Sequence, residues 1–243
     1  MIPRDHPRYG SLVTREHLAD CARSGIVSWE GLIAHGRGEA FDYLLGEKTS
    51  DSASRAAKTA AALLRTARLP VISVNGNTAA LAAPQIAHLQ KSSGALVEVN
   101  LFHRTPDRVR QIESLLQSAG AEVFSGEAER LLPLSHDRAF CRRDGMYAAD
   151  VVLVPLEDGD RCGVLVAMGK KVIAVDLNPL SRTANMATLT VVDEVTRALP
   201  VIADACSLLT DQECRHLIAS LDNKVFLREA LNKMKARLCD ALD

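Results

Sequence analysis

Short apolar, β-branched runs alternate with longer segments of helical spacing through the middle of the chain. The runs at Pro70–Asn77, Ala95–Arg104, Asp150–Arg161, Lys170–Thr183 and Thr188–Glu194 each start apolar and finish polar. Continuous apolar runs of this length suit strands buried on both faces. The pattern predicts strands over 70–75, 95–100, 151–155, 171–175 and 188–192, with a short one over 121–124. Between them it predicts helices over 78–92, 106–118, 160–168 and 194–209. Strands alternating with helices predict an α/β fold with a parallel sheet flanked by helices and right-handed crossovers.

The ends of the chain read differently. Helices are expected over 11–24, stopped by Gly25, and over 28–35, begun by Ser28 as N-cap with Glu30 in its first turn. The stretch Ala34–Glu47 reads as a loop, in which Gly36 and Gly38 let the backbone fold closely around Arg37 and present it. An alanine-rich helix covers 52–68. Residues 125–148 are polar and rich in arginine (Arg130, Arg138, Arg142, Arg143) and read as an irregular insertion, mobile or specific to an oligomer. The C-terminal stretch is amphipathic, with Phe226, Leu227, Ala230, Leu231 and Met234 on one face. One domain is expected over 1–243: an N-terminal helical segment to residue 68, a core over 69–210 and a helical tail.

The polar ends of the strands are the candidate site, because ligands of open parallel sheets bind outside the carboxyl ends of the strands. After Val175 come Asp176, Asn178, Ser181, Arg182 and Thr183, with Pro179 preventing further ladder pairing. A carboxylate, an amide, hydroxyls and a guanidinium can grip a ribose, a base edge and phosphates; a solvated loop explains the same residues equally well. The other rims offer Asn75-Gly76-Asn77 before a helix, which can hold an anion, then His103 and Arg104, Glu157 to Arg161, and Asp193 with Glu194.

Composition narrows the classes. With 243 residues, 47% of them hydrophobic, the chain can bury a large core. A formal net charge of −1 gives no electrostatic reason to expect nucleic acid or a membrane surface. No apolar run approaches the roughly 20 residues of a membrane helix, and the first residues lack a signal-peptide core. The 6 cysteines include no CxxC pair, and the 7 histidines no metal-ligand spacing, so a reduced cytoplasmic protein is expected. There is no GxGxxG after a strand and no GxxxxGK[ST]. Cys162 has no paired base, and Lys233-Met234-Lys235 sits inside an amphipathic helix.

The blocks HPRYGSLVTREHL, GIVSWEGLIAHGRGEAFDYLLGE, PVISVNGNTAAL, EVNLFHRT, ADVVLVPLEDGDR and KKVIAVDLNPLSRTANMA, with a late DNK, resemble the archaeal phosphopantothenate synthetases, also called 4-phosphopantoate–β-alanine ligases. The resemblance runs from about residue 6 to about residue 235 and is weakest over 125–145. It implies a Rossmann-like core, a homodimer, and ATP-dependent condensation of 4-phosphopantoate with β-alanine on the route to coenzyme A. It further implies an ATP site of Arg15, Arg37, Asp176, Leu177, Asn178, Arg182, Thr183, Glu194 and Val195. An acid activated by ATP needs cations where the triphosphate meets the attacking carboxylate. Arg15, Arg37 and Arg182 are candidates for that role, and His103 for the base. Arg104 and Asn77 are candidates for the acid substrate, Arg104 taking its phosphate. Magnesium is expected on the phosphates, with Asp158 or Asp160 as a carboxylate partner; an ordinary acidic turn explains these two as well. A non-catalytic nucleotide sensor on the same fold is the alternative, disfavoured because Asn77, His103 and Arg104 suggest a second pocket. A nicotinamide enzyme is disfavoured by the missing glycine fingerprint.

Overall fold

A computed structural model describes residues 2–6 and 8–240. Three helices open the chain: α1 (Tyr9–Arg23), α2 (Trp29–Leu45) and α3 (Asp51–Thr66). Ser28 and Ser50 cap α2 and α3 by accepting from the Gly31 and Ala53 amides. α2 stops at Gly46, whose left-handed φ of 101° is one that glycine adopts without strain. The core then alternates: β1 (Pro70–Val74), α4 (Gly76–Ser93), β2 (Leu96–Val99) and α5 (Pro106–Ser118). A small antiparallel pair, β3 (Glu129–Arg130) with β4 (Phe140–Cys141), interrupts the alternation. It resumes with β5 (Val151–Pro155), α6 (Gly159–Ala167), β6 (Lys171–Val175), α7 (Arg182–Met186), β7 (Leu189–Val191) and α8 (Val195–Leu208). Helices α9 (Asp211–Ala219) and α10 (Asn223–Cys239) follow.

The main sheet has five strands in the order β2-β1-β5-β6-β7, every pair parallel. The chain steps outward from β1 to β2, then returns to the other side of β1 for β5. That reversal opens a crevice at the carboxyl ends of β1 and β5, the general ligand position in open α/β sheets. Ile72, Val74, Val97, Val99, Leu153, Ile173 and Val175 pack with residues of α3, α4, α5 and α8 on one face. Val71, Val152, Val154, Val172 and Ala174 face the other way, against Cys162 and Leu165 of α6 and Leu132, Ala139, Cys141 and Met146.

The expected α/β architecture is therefore present, with three local corrections. Residues 34–45 are not a loop but the continuation of α2, because Phe41, Leu44 and Leu45 pack with Leu177, Leu227 and Met234. That burial outweighs the roughly 1 kcal/mol each glycine costs inside a helix. Residues 121–124 form no strand: Val123 makes one isolated parallel bridge to Val97. The 125–148 segment is packed rather than loose, since its apolar residues cover the second face of the sheet. The buried Glu98 pins it by accepting from the Arg142 amide at 3.0 Å and the Met146 amide at 2.8 Å.

Candidate active site

The loop after β6 is shaped by its own polar side chains. Asp176 accepts from the Asn178 amide at 2.9 Å and from the Ser181 hydroxyl. The Asn178 side-chain oxygen accepts from the Leu180 amide at 2.9 Å, leaving its NH2 group free of any hydrogen bond among the described residues. Ser181 caps α7. Burial pushes the Asp176 carboxyl above its usual range, against the lowering effect of those hydrogen bonds. Leu177 is buried among Leu45, Ala184, Val192 and Leu227. Its Cδ1 lies 3.5 Å from where a Cβ on Gly38 would stand, so α2 lies directly against this loop. Arg37, beside that contact, is exposed.

The turn after β5 connects this loop to the others. Leu156 adopts φ 55°, a left-handed conformation that is strained for a leucine. The Thr183 hydroxyl donates to the Glu157 carbonyl at 2.9 Å, and Arg182 pairs with Asp160 at 2.5 Å. A Cβ on Gly159 would stand 2.5 Å from the Arg182 Cβ, so the starts of α6 and α7 touch. The Asn75 amide group donates to the Leu156 carbonyl at 2.8 Å, and the buried Thr78 hydroxyl to the Pro155 carbonyl at 3.1 Å. These bonds close the floor of the crevice between β1 and β5. Asp158 caps α6 by accepting from the Arg161 amide at 2.9 Å.

On the β2 side, the Arg104 amide donates to Asp137 at 3.0 Å, and its side chain approaches the Val99 carbonyl at 3.5 Å. The rest of that guanidinium makes no hydrogen bond among the described residues. His103 is exposed, its ring edge-on to Phe102, while Phe102 stacks on His136 at 4.6 Å between ring centres. Arg108 gives its donors to the Ile26 and His103 carbonyls. Asn77 is buried and donates to the Gly31 carbonyl at 2.7 Å, which ties α4 to α2.

Arg15 lies on α1, where both oxygens of Glu39 accept from its Nε, at 3.1 and 2.9 Å. Glu39 also accepts from Ser11 and pairs with Arg8 at 3.4 Å. Burial pushes its carboxyl up, but the Ser11 and Arg15 bonds outweigh this and hold it below the usual range. At the last strand, the buried Asp193 accepts from Thr49 at 2.6 Å and from Arg197, which also holds Asp42. Glu194 caps α8 through Thr196, with its carboxyl raised by burial, and Val195 is buried.

The sequence-predicted residues fall into two groups, with Arg15 on α1, Asn77 on α4, and Glu194 and Val195 at the start of α8 lying outside both. Asp176, Leu177, Asn178, Arg182, Thr183, Asp158 and Asp160 form one cluster, with α2 and so Arg37 against its edge. His103 and Arg104 line the β2 rim, and no hydrogen bond among the described residues joins them to the 176–183 loop. Glu39 and Thr78 escaped attention: Glu39 sits two residues after Arg37, but nothing in the sequence couples it to Arg15. Among the described residues no group of three or more histidine, cysteine, aspartate or glutamate side chains is arranged to hold a metal ion. No helix among them is long and apolar enough to cross a membrane.

A family model described as phosphopantothenate/pantothenate synthetase matches residues 52–237. The chain is 60% identical over 243 residues to the 4-phosphopantoate--beta-alanine ligase of Methanospirillum hungatei JF-1, covering 100% of both chains. It is 52% identical to the enzyme of that name from Methanosarcina mazei, over 98% of this chain and 95% of the other. For the enzyme of that name from Thermococcus kodakarensis the identity is 45%, over 98% of this chain and 93% of the other.

Proposed function

The chain belongs to the phosphopantothenate/pantothenate synthetase family, and from that premise we propose that it joins 4-phosphopantoate to β-alanine at the expense of ATP. The products are 4′-phosphopantothenate, AMP and pyrophosphate. The observation that carries the reading is identity to ligases of that name from end to end, together with a sheet rim that offers two separate polar groups.

The nucleotide falls to the group around β6. Asn178 has amide donors that make no hydrogen bond among the described residues, the buried Leu177 and Val195 back the site with apolar side chains, and Asp176 and Glu194 are acceptors for ribose hydroxyls. Arg182, Arg37 and Arg15 supply positive charge for the triphosphate. The Thr183 side chain is committed to the Glu157 carbonyl, so its part is to seat Arg182. The acid substrate falls to the β2 side, where the spare donors of Arg104 suit a phosphate. Asn77 shapes that side through Gly31. Magnesium needs only one or two carboxylates when phosphates and water complete its shell. Asp160, exposed and paired with Arg182, fits that limited role; Asp158 gives one oxygen to its cap, and its buried Oδ2 lies 3.6 Å from Arg138 with no hydrogen bond among the described residues. When bound, the ion would screen phosphate charge.

The substrate carboxylate attacks the α-phosphorus, forming the acyl adenylate as the bond to pyrophosphate breaks. The amine of β-alanine then attacks the acyl carbon, and the bond to AMP breaks. Its surplus proton must leave, and the exposed His103 imidazole is the candidate acceptor. Cys162 is buried, and burial pushes its thiol up to about 12, which removes it as a covalent acyl carrier. We further propose that the protein is a cytoplasmic homodimer acting on small molecules and not on nucleic acid.

Pyrophosphate release should require ATP, 4-phosphopantoate and β-alanine together; absence of AMP from the full mixture rejects the assignment. With oxygen-18 in the phosphopantoate carboxylate, the adenylate route places one labelled oxygen in AMP. Label in inorganic phosphate would instead indicate an acyl phosphate.

A further inference from the structure

Four charged side chains lie together beneath the crevice: Arg138, Glu157, Asp158 and Arg161. Arg161 is fully buried and pairs with Glu157 from within the same turn, also donating to Ser73 at 2.9 Å. Glu157 additionally accepts from the Asp158 amide at 2.8 Å. Its charge is thus met without help from elsewhere. Arg138 nevertheless arrives from the 125–148 segment, 7% exposed, and places Nη1 3.3 Å from the Glu157 carboxylate and Nε 3.6 Å from Asp158. The same Nη1 stands 3.4 Å from both the carbonyl and the side-chain oxygen of Asn100, at the end of β2. Asn100 answers by donating to the Phe140 carbonyl at 2.8 Å.

Burying a second arginine carries a desolvation penalty, and buried ion groups often return little stability for it. What Arg138 adds is a link between elements. Arg161 holds Glu157 from its own helix; Arg138 alone among the four comes from another part of the chain. The turn it grips carries Thr183 on the Glu157 carbonyl, Arg182 on Asp160 and Asn75 on the Leu156 carbonyl. The turn also includes the strained φ of Leu156, a conformation that persists only where its surroundings hold it.

We infer that Arg138 is a positioning residue for ligation: it locks the Leu156–Asp160 turn, and through it the Arg182 loop, to the β2 rim where Arg104 stands. The inference rests on the ligase reading and adds to it a mechanical link between the acid and nucleotide sides of the cleft. Its role is to hold the substrate carboxylate and the α-phosphate in register, so its loss should fall on turnover more than on the binding of either substrate.

Arg138→Lys keeps the charge and loses the planar fork. Arg143→Ala, an exposed arginine of the same segment, is the control. Expected for Arg138→Lys is a fall in kcat of about tenfold or more. The Michaelis constants for ATP and phosphopantoate should each move less than about threefold, with Tm within a few degrees of the parent. Hydrogen exchange should accelerate at residues 156–160 and 183, and Arg143→Ala should match the parent throughout. A Lys variant with parental kcat overturns the inference, as does a loss of kcat matched by an equal loss of folded protein. An inactive parent rejects the ligase reading instead, and exchange at 156–160 still tests the lock: unchanged protection there overturns it. Arg138→Met adds a variant of similar length without charge, and it should be slower than the Lys variant.

Discussion

Arg182 spends its guanidinium on Asp160 although both are largely exposed, so the pair holds the side chain over the cleft at little gain in stability. A triphosphate offers the same guanidinium a stronger, charge-assisted partner. Arg182→Ala should therefore cost roughly 1.5–3 kcal/mol of transition-state stabilisation. Measured as kcat/KM for ATP, that is a loss of about ten- to hundredfold, with folding unaffected. Asn178→Ala should lose less, since it removes neutral hydrogen bonds, yet should also loosen the turn that Asn178 builds with Leu180. Parental kinetics in both variants would exclude this loop from the site. Gly76→Ala tests packing: a Cβ there would stand 2.1 Å from the Ile26 carbonyl oxygen, a backbone atom that cannot swing aside. The variant should lose about 1–3 kcal/mol of stability in urea titration. Site residues were legible where a strand's apolar run broke into Asp176-Leu177-Asn178, because strand ends and ligand sites coincide in this architecture. Asn77 was legible only as a polar residue on the rim: that its amide would be used on Gly31 depends on where α2 lies, which no local pattern encodes.

The helices and strands of the core follow the hydrophobic pattern closely, down to Pro106–Ser118 for α5, whose Thr105 cap and N-terminal proline mark its start. The pattern was misleading over 34–45 because Gly36 and Gly38 look like loop residues, while the apolar residues that keep α2 helical meet partners from α10 and the 176–192 region. Distance in sequence hid the reason. Residues 125–148 failed differently: with two-residue strands and a one-turn 3-10 helix, they have no period to detect, and Glu98 organises them from β2. Between α1 and α2, beside the apolar contact of Leu18 and Cys21 with Leu32, there is an electrostatic tie: Glu39 with Arg15, Ser11 and Arg8, the residue that precedes α1. Because the folded Glu39 carboxyl is held below its unfolded value, its contribution is present above the reference pKa near 4.5 and fades as pH falls through the lower folded value. Glu39→Gln should thus lose about 1 kcal/mol or less at pH 7. The gap to the parent should close below pH 4, checked by urea midpoints across that range. A gap that stayed constant with pH would mean that packing, not charge, holds these helices together.

At the scale of the whole molecule, α2 carries a bare apolar face. Trp29, Ile33 and Tyr43 of α2 are 68%, 67% and 58% exposed, and Gly36 and Ala40 complete a stripe with them at alternating steps of four and three. Such a stripe is the seam by which two helices pack with side chains interlocked. Two copies crossing antiparallel at Gly36 would set Trp29 against Tyr43, Ile33 against Ala40 and glycine against glycine, so large residues meet small ones at the centre and aromatics meet at the ends. Charge agrees: Glu30 stands beside Trp29, and Arg8, whose guanidinium lies 5.7 Å from the centre of the Tyr43 ring, stands at the opposite end. A twofold arrangement brings each Glu30 toward the other copy's Arg8. The proposed homodimer should use this face, which lies on the same helix as Arg37 and so sets two nucleotide sites near the symmetry axis. Light scattering at micromolar concentration should report a dimer, and Ile33→Glu with Tyr43→Ser should shift it to monomer while leaving the far-UV circular dichroism unchanged. A parent that stays monomeric, or a double variant that stays dimeric, would exclude the α2 face as the interface.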